Sequence, residues 1–136
     1  NSKLHKKPFM SNILVLETLK QIANAAERIL LRFSKVPSLD YFLATDEGLE
    51  KLDAFCMQLI AIGESLKHID KLTQNSLLKN YPEIDWKAVK GMRDIITHHY
   101  FDLDAEAVYD VCQNDIKPLL NAINRIIADV EKEYSL

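Results

Sequence analysis

Apolar residues recur along this chain with the spacing of amphipathic helices. The first stripe follows Ser11, a candidate N-cap, and ends before Pro37. It predicts a first helix of about 23 residues. Residues 38–44 show no comparable stripe, and we expect them to form a short connecting piece.

A second long helix is predicted to begin at Thr45, a candidate N-cap that is followed by two acidic residues. It is expected to end at about Ile69. Its apolar residues form two rows of heptad spacing, so the apolar face is wide and predicts contact with more than one neighbouring helix. The rows are Leu52/Leu59/Leu66 and Phe55/Ile62/Ile69.

Three further segments begin at candidate N-caps. A short helix is predicted from Thr73 to about Asn80, and a longer one from Asp85 to about Tyr100. The final segment runs from Asp104 to about Glu133, with a break or kink at Pro118 and a new N-cap at Asp115. The pattern as a whole predicts an all-α fold, an antiparallel bundle of four long helices plus a short one.

The chain holds few of the residues that form turns and phosphate-binding loops. Gly and Pro together make 7 of 136 residues, which is about 5% against an average of about 12%. The three glycines, Gly48, Gly63 and Gly91, stand too far apart for a P-loop or a dinucleotide-binding fingerprint. The same scarcity disfavours a β-sandwich or barrel, which needs turns at regular intervals.

Residues Asn1 to Phe9 carry three Lys and one His but no apolar stretch, so they do not form a secretory signal. We expect residues 1–9 to be a disordered leader or expression remnant that precedes a single helical domain at residues 10–134. No apolar run is long enough to span a membrane. Cys56 and Cys112 lack CxxC spacing and fall in helical stripes, which predicts two reduced core thiols in a cytoplasmic protein.

The net charge of −3 gives no overall attraction to nucleic acid, so any such contact must come from a local patch. Residues 86–100 form the best candidate. They carry Lys87, Lys90 and Arg93 against Asp94 and include two of the four histidines. This local excess of positive charge predicts a phosphate-binding patch.

Helical geometry separates the side chains of this segment, at about 100° per residue. The predicted core face carries Val89, Met92, Ile95 and Ile96. Arg93 and Tyr100 share its margin, whereas His98 falls roughly opposite, beside Asp94 and Gly91. A glycine in mid-helix often marks the close approach of another backbone. We therefore expect His98 to face solvent, another helix or another subunit.

Ordinary structural roles remain open for each of these residues. His98 and Asp94, four apart, could form a simple surface pair, and Arg93 could be a solvated helix residue. His99 fits a packing role, and Tyr100 could pack near Trp86 rather than take part in chemistry.

A metal site is not predicted. Glu64/His68 and Asp94/His98 are carboxylate–histidine pairs four residues apart, whereas di-iron bundles use Glu-x-x-His, three apart. That motif is absent from the chain, so we expect neither a metal nor a cofactor.

The string Arg93-x4-His98-x-Tyr100 resembles the signature of the HepT-like toxins, a family within the HEPN superfamily of helical domains. The surroundings are similar too: a run from Pro82 to Trp86 lies upstream, and a Phe-Asp-Leu-Asp tract follows. The segment Ile62-Gly63-Glu64 resembles the family's Ile-Gly-Glu helix. The resemblance covers about residues 10–132.

The resemblance implies a HEPN-like bundle that forms a homodimer, with the two motifs lining an interface cleft. It also implies a metal-independent endoribonuclease toxin whose substrate is RNA. By position, catalysis falls on Arg93 and His98. The usual partner is a minimal nucleotidyltransferase antitoxin, which would attach AMP to Tyr100.

Three other residues are candidates to line this site: Asp94, Glu64 and Lys90. Glu64 has an alternative role in capping or packing. Position 94, often Asn in these toxins, is Asp here, so we expect its carboxylate to weaken RNA binding. Two other functions stay open: a non-catalytic module that binds a nucleotidyltransferase, and a purely structural dimeric bundle.

Overall fold

The structure, a computed structural model, describes residues 9–98 and 104–134. This part of the chain is all helical, without a β-strand. The α-helices are α1 (Phe9–Phe33), α2 (Asp40–Ala44), α3 (Asp46–Thr73), α4 (Trp86–His98), α5 (Ala105–Asp110) and α6 (Ile116–Tyr134). A 3₁₀ turn (Leu78–Asn80) precedes α4, and a π-helical turn (Val111–Asp115) joins α5 to α6. The predicted fold class is confirmed.

Helix α3 forms the centre of the bundle because its apolar face is wide enough for several neighbours. It packs against α1 on one side and α4 on another, and it also contacts α2 and α5. All six residues of its two predicted heptad rows are buried, as expected: Leu52, Leu59, Leu66, Phe55, Ile62 and Ile69.

Contacts at the two ends show that the helices run antiparallel. Phe33, at the end of α1, packs edge-to-face against Phe55 in α3 and Tyr109 in α5, with ring centroids 5.9 and 5.0 Å apart. At the other end, Val15 near the start of α1 lines one cleft with Thr73 at the end of α3 and Val130 near the end of α6. Helix α1 therefore runs opposite to both α3 and α6.

The predicted N-caps at Thr45 and Asp104 are confirmed, and the one at Ser11 is wrong. The Thr45 hydroxyl accepts a hydrogen bond from the Gly48 backbone N–H at 2.9 Å, and the Asp104 carboxylate accepts two at the start of α5. Ser11 is not a cap, because α1 already begins at Phe9. Helix α1 includes Phe9, and the rest of the predicted leader, residues 1–8, lies outside the described range.

The connecting piece predicted at residues 38–44 contains a helix of its own. Helix α2 forms there because Phe42 is fully buried, with its ring 5.9 Å from that of Phe55. The seven residues 38–44 span only about two helical turns, which is too short a segment for a helical periodicity to be recognised.

The short helix predicted from Thr73 to about Asn80 is present only as the 3₁₀ turn Leu78–Asn80, and the predicted cap at Thr73 is wrong. Thr73 is the last residue of α3, and its hydroxyl donates to the Ile69 carbonyl oxygen at 2.8 Å instead of capping a new helix. Gln74 and Asn75 then adopt left-handed backbone angles and end α3.

Of the break or kink predicted at Pro118, the break is absent, and the predicted N-cap at Asp115 is wrong. The chain passes from α5 to α6 through the π-helical turn, in which the Ile116 N–H donates to the Val111 carbonyl. Proline removes a donor and its ring crowds the carbonyl four residues earlier. The wider turn before Pro118 accommodates both effects, so the helical run continues.

Within residues 9–98 and 104–134, no helix has the length and apolar character needed to cross a membrane.

The two cysteines are buried free thiols, as predicted. Burial, with a smaller contribution from nearby negative charge, raises the pKa of Cys56 to about 11 and that of Cys112 to about 12. Because the thiolate is the reactive form, we expect iodoacetamide at about pH 8 to label neither cysteine in the native protein and both in urea. Mass spectrometry would measure this, and rapid native labelling of either thiol would contradict the packing.

Gly48 is required by a close contact between helices. An added Cβ there would lie 1.7 Å from the Tyr41 carbonyl oxygen, whereas one at Gly91 would meet no atom within 4 Å. Alanine in a helix gains about 1 kcal/mol over glycine, and overpacking costs about 1–3 kcal/mol or more. We therefore expect Gly48→Ala to lower the free energy of unfolding and Gly91→Ala to raise it, measured by urea denaturation. Equal effects at the two positions would contradict the clash.

Candidate functional site

Two hydrogen bonds fix the start of α4, one made by the cap residue Asp85 and one by the first helical residue Trp86. The Asp85 carboxylate accepts from the Ala88 backbone N–H at 3.1 Å, which confirms the predicted cap. Buried Trp86 donates its indole N–H to the Tyr81 carbonyl oxygen at 2.9 Å. The Tyr81 hydroxyl in turn donates to Asp129 of α6 at 2.6 Å. Burial and this bond raise the pKa of Tyr81 to about 12.

The middle of α4 lies unusually close to α3 at Gly63. A Cβ on Gly63 would be 3.4 Å from the Arg93 Cβ and from the backbone oxygens of Val89 and Lys90. The missing side chain lets the two antiparallel backbones approach, and this approach sets Arg93 beside Glu64. The close approach expected at Gly91 is therefore found at Gly63, and Gly91 has open space around it within the chain.

Arg93 is the centre of a network of four charged side chains. Its Nε lies 3.1 Å from Glu64 Oε1, and its Nη1 donates to Asp94 Oδ1 at 3.0 Å. Lys67 of α3 lies 3.9 Å from the same Glu64 oxygen and 3.8 Å from the same Asp94 oxygen. The hydrogen bond from Arg93 and the nearby Lys67 charge lower the pKa of Asp94. The four charges sum to zero.

His98 is exposed, as predicted, at the end of the described part of α4. Its Nδ1 lies 2.8 Å from the Asp94 backbone oxygen. Because a carbonyl oxygen can only accept, Nδ1 carries the proton and Nε2 presents its lone pair when the ring is neutral. The ring therefore contacts the backbone of Asp94, and a carboxylate–imidazole pair is not formed.

The structure groups some of the predicted site residues and separates others. Arg93, Glu64 and Asp94 lie together. His98 stands five residues after Arg93 on a different face of the helix and touches this group only at the Asp94 backbone oxygen. Lys90 is held by Asp70 of α3, in an ion pair of 2.5 Å.

Tyr100 and His99 lie outside the described residues, so their predicted roles stay predictions. Ile95, expected on the core face, is 59% exposed. This expectation was wrong because, among the described residues, α4 packs mainly against α3, and the edge of its apolar face at Ile95 stays uncovered.

Lys67 was missed by sequence reasoning. Its only signal in the sequence is its place three residues after Glu64, a spacing that any surface ion pair can have. Its approach to Asp94 depends on the register of α3 against α4, which the Gly63 contact sets. Among the described residues, no three His, Cys, Asp or Glu side chains are grouped so as to hold a metal ion.

Comparisons with known proteins identify similar chains. The family described as "Ribonuclease HepT-like" matches residues 19–126. "Putative RNase MJ0127" from Methanocaldococcus jannaschii is 29% identical over 119 residues, which cover 88% of this chain and 86% of that protein. "Probable ribonuclease HepT" from Thermococcus cleftensis is 28% identical over 110 residues, or 79% of this chain and 91% of that protein. No solved structure gave a significant match.

Proposed function

The chain belongs to the ribonuclease HepT-like family, and from this premise we propose that it is a metal-independent endoribonuclease, the toxin of a toxin–antitoxin pair. The observation that supports this most directly is the state of His98. This imidazole is exposed, and its Nδ1 is committed to the Asp94 backbone, so Nε2 is available to a substrate. Arg93, on the same helix as His98, supplies a positive charge.

RNA carries its own nucleophile, which makes cleavage without a metal ion chemically reasonable. A base removes the proton of the 2′-hydroxyl, whose oxygen attacks the neighbouring phosphorus. The bond to the 5′-oxygen breaks, an acid protonates that oxygen, and a 2′,3′-cyclic phosphate is left. Imidazole can exchange a proton near neutral pH, and a guanidinium binds phosphate oxygens through its planar fork. We assign these roles to His98 and Arg93 respectively.

The reaction needs an acid and a base, and one chain presents a single outward His98. A homodimer would supply two. The surface beside His98 is compatible with such an interface, because Ile95, three residues earlier, is 59% exposed and Gly91 carries no side chain. We propose that two copies pair through this face of α4 and share a cleft that holds RNA.

The regulatory part of the proposal concerns Tyr100, which lies outside the described residues. A minimal nucleotidyltransferase antitoxin would attach AMP to its hydroxyl. The added phosphate would lie two residues from His98, where its charge would compete with RNA. RNA and nucleotide donors are both available in the cytoplasm, where we expect the protein to act.

A second candidate function is a non-catalytic module that binds the nucleotidyltransferase. The observation that favours it is the neutral network around Arg93: Glu64 and Asp94 both contact the guanidinium. An arginine with its charge balanced in this way binds phosphate less readily than a free one.

We expect His98→Ala and Arg93→Ala each to lower cleavage of a mixed-sequence single-stranded RNA by about 100-fold or more. The first variant lacks the general acid–base and the second lacks the phosphate-binding cation. The assay would be run with EDTA and read on a denaturing gel. His68→Ala, which removes an exposed histidine from α3, is the matched control and should cut like wild type. A wild-type protein that cuts nothing would favour the binding module, and an active His98→Ala would exclude the proposed chemistry.

Incubation with a minimal nucleotidyltransferase and ATP should raise the intact mass by whole adenylyl groups. Tyr100→Phe removes the acceptor hydroxyl and should abolish this increase. Tyr134→Phe removes another partly exposed tyrosine hydroxyl and should leave it intact. An adduct that persists on Tyr100→Phe would place the modification elsewhere.

A further inference from the structure

Two carboxylate oxygens of the site each lie between the same two cations. Glu64 Oε1 is 3.1 Å from Arg93 Nε and 3.9 Å from Lys67 Nζ. Asp94 Oδ1 is 3.0 Å from Arg93 Nη1 and 3.8 Å from the same Lys67 nitrogen. Arg93 and Lys67, from different helices, therefore surround a small space that two anionic oxygens already occupy.

A phosphodiester also presents two acceptor oxygens, which belong to one group and share one negative charge. We propose that Lys67 is a second phosphate-binding residue, and that Arg93 and Lys67 together clamp one phosphodiester of the RNA. Glu64 and Asp94 occupy the two anion positions in the free protein and are displaced when RNA binds. The inference rests on the proposed function, because it names further residues that hold the same substrate.

The exposure of the carboxylates makes their displacement feasible. The Glu64 and Asp94 side chains are each 51% exposed, so either can turn into water by changing rotamer. Ion pairs at such positions contribute little to stability. Glu64 bonds to Nε of Arg93 and Asp94 bonds to Nη1, so one carboxylate sits on each edge of the guanidinium. A bidentate phosphate contact therefore requires at least one carboxylate to leave.

The neighbouring Lys90 is a weaker candidate for this role. It is paired with Asp70, whose side chain is only 14% exposed and cannot turn into water as freely. Lys67 is 42% exposed and its two partners are both on the surface. Of the lysines that the structure describes in ion pairs, Lys67 alone contacts the two carboxylates that bind Arg93.

The test measures binding separately from cleavage. The probe is a fluorescent mixed-sequence 2′-O-methyl oligonucleotide, which keeps its phosphates but lacks the attacking hydroxyl. Anisotropy would give its affinity for the full chain between about 50 and 200 mM KCl. Lys67→Met should weaken binding and reduce the slope of log affinity against log salt by about 0.7, the value for one lost contact to a single strand.

Three variants distinguish a clamp from a surface ion network. Lys67→Arg keeps the cation and should restore affinity and slope. Lys117→Met removes an exposed lysine from α6 and should behave as wild type. Asp94→Asn removes one of the competing anions and should tighten binding severalfold. Circular dichroism would check that each variant folds.

The outcomes separate this inference from the proposed function. Wild-type protein that cuts RNA while Lys67→Met binds with unchanged affinity and slope would overturn the clamp and leave the ribonuclease standing. Binding that depends on Lys67 in a protein that cuts no RNA would support the clamp and refute the ribonuclease. A wild-type chain that does not bind the oligonucleotide would overturn the clamp outright.

Discussion

The contact between α3 and α4 at Gly63 determines where every charged group of the site lies. Because no side chain separates the two backbones there, Arg93 Cβ lies 3.4 Å from the position that a Cβ on Gly63 would take. Helix register then brings Glu64 and Lys67 of α3 to Arg93 and Asp94 of α4. A side chain larger than alanine at Gly63 would move α4 outward and separate these groups. The charged atoms themselves are not in contact with Gly63, which meets Arg93 only at its Cβ.

Sequence patterns predicted those parts of the fold that depend on a long repeat or a local cap. The heptad rows of α3 and the caps at Thr45 and Asp104 are of this kind. One error arose where a contact between helices decides the local structure, because the segment around Phe42 is helical with its ring buried against Phe55 of α3. The errors at Thr73 and Pro118 have local causes, since the Thr73 hydroxyl bonds back into α3 and a π-helical turn precedes Pro118. Periodicity and cap signals therefore failed where the segment was too short or where a polar side chain or a wider turn had more than one local use.

The site follows the same division. The spacing of Arg93 and His98 can be read along one helix, and so can the outward direction of His98. Lys67 cannot be found in this way, because its partner Asp94 is 27 residues away and on another helix. The charge balance of the network could not be predicted from residues 86–100 either, because Glu64 and Lys67 lie outside that segment. The positive excess read from residues 86–100 is balanced in the folded chain by carboxylates, among them Glu64 of α3.

The residues that hold α4 in place are different from the charged residues on its exposed surface. Its first turn is fixed by Trp86, by Tyr81 and by Asp129 of α6, and its middle by Gly63. None of these belongs to the charged network. The four charged side chains can therefore change identity without removing a contact that holds α4 in place, so the chemistry of this surface and the stability of the fold are set by different residues.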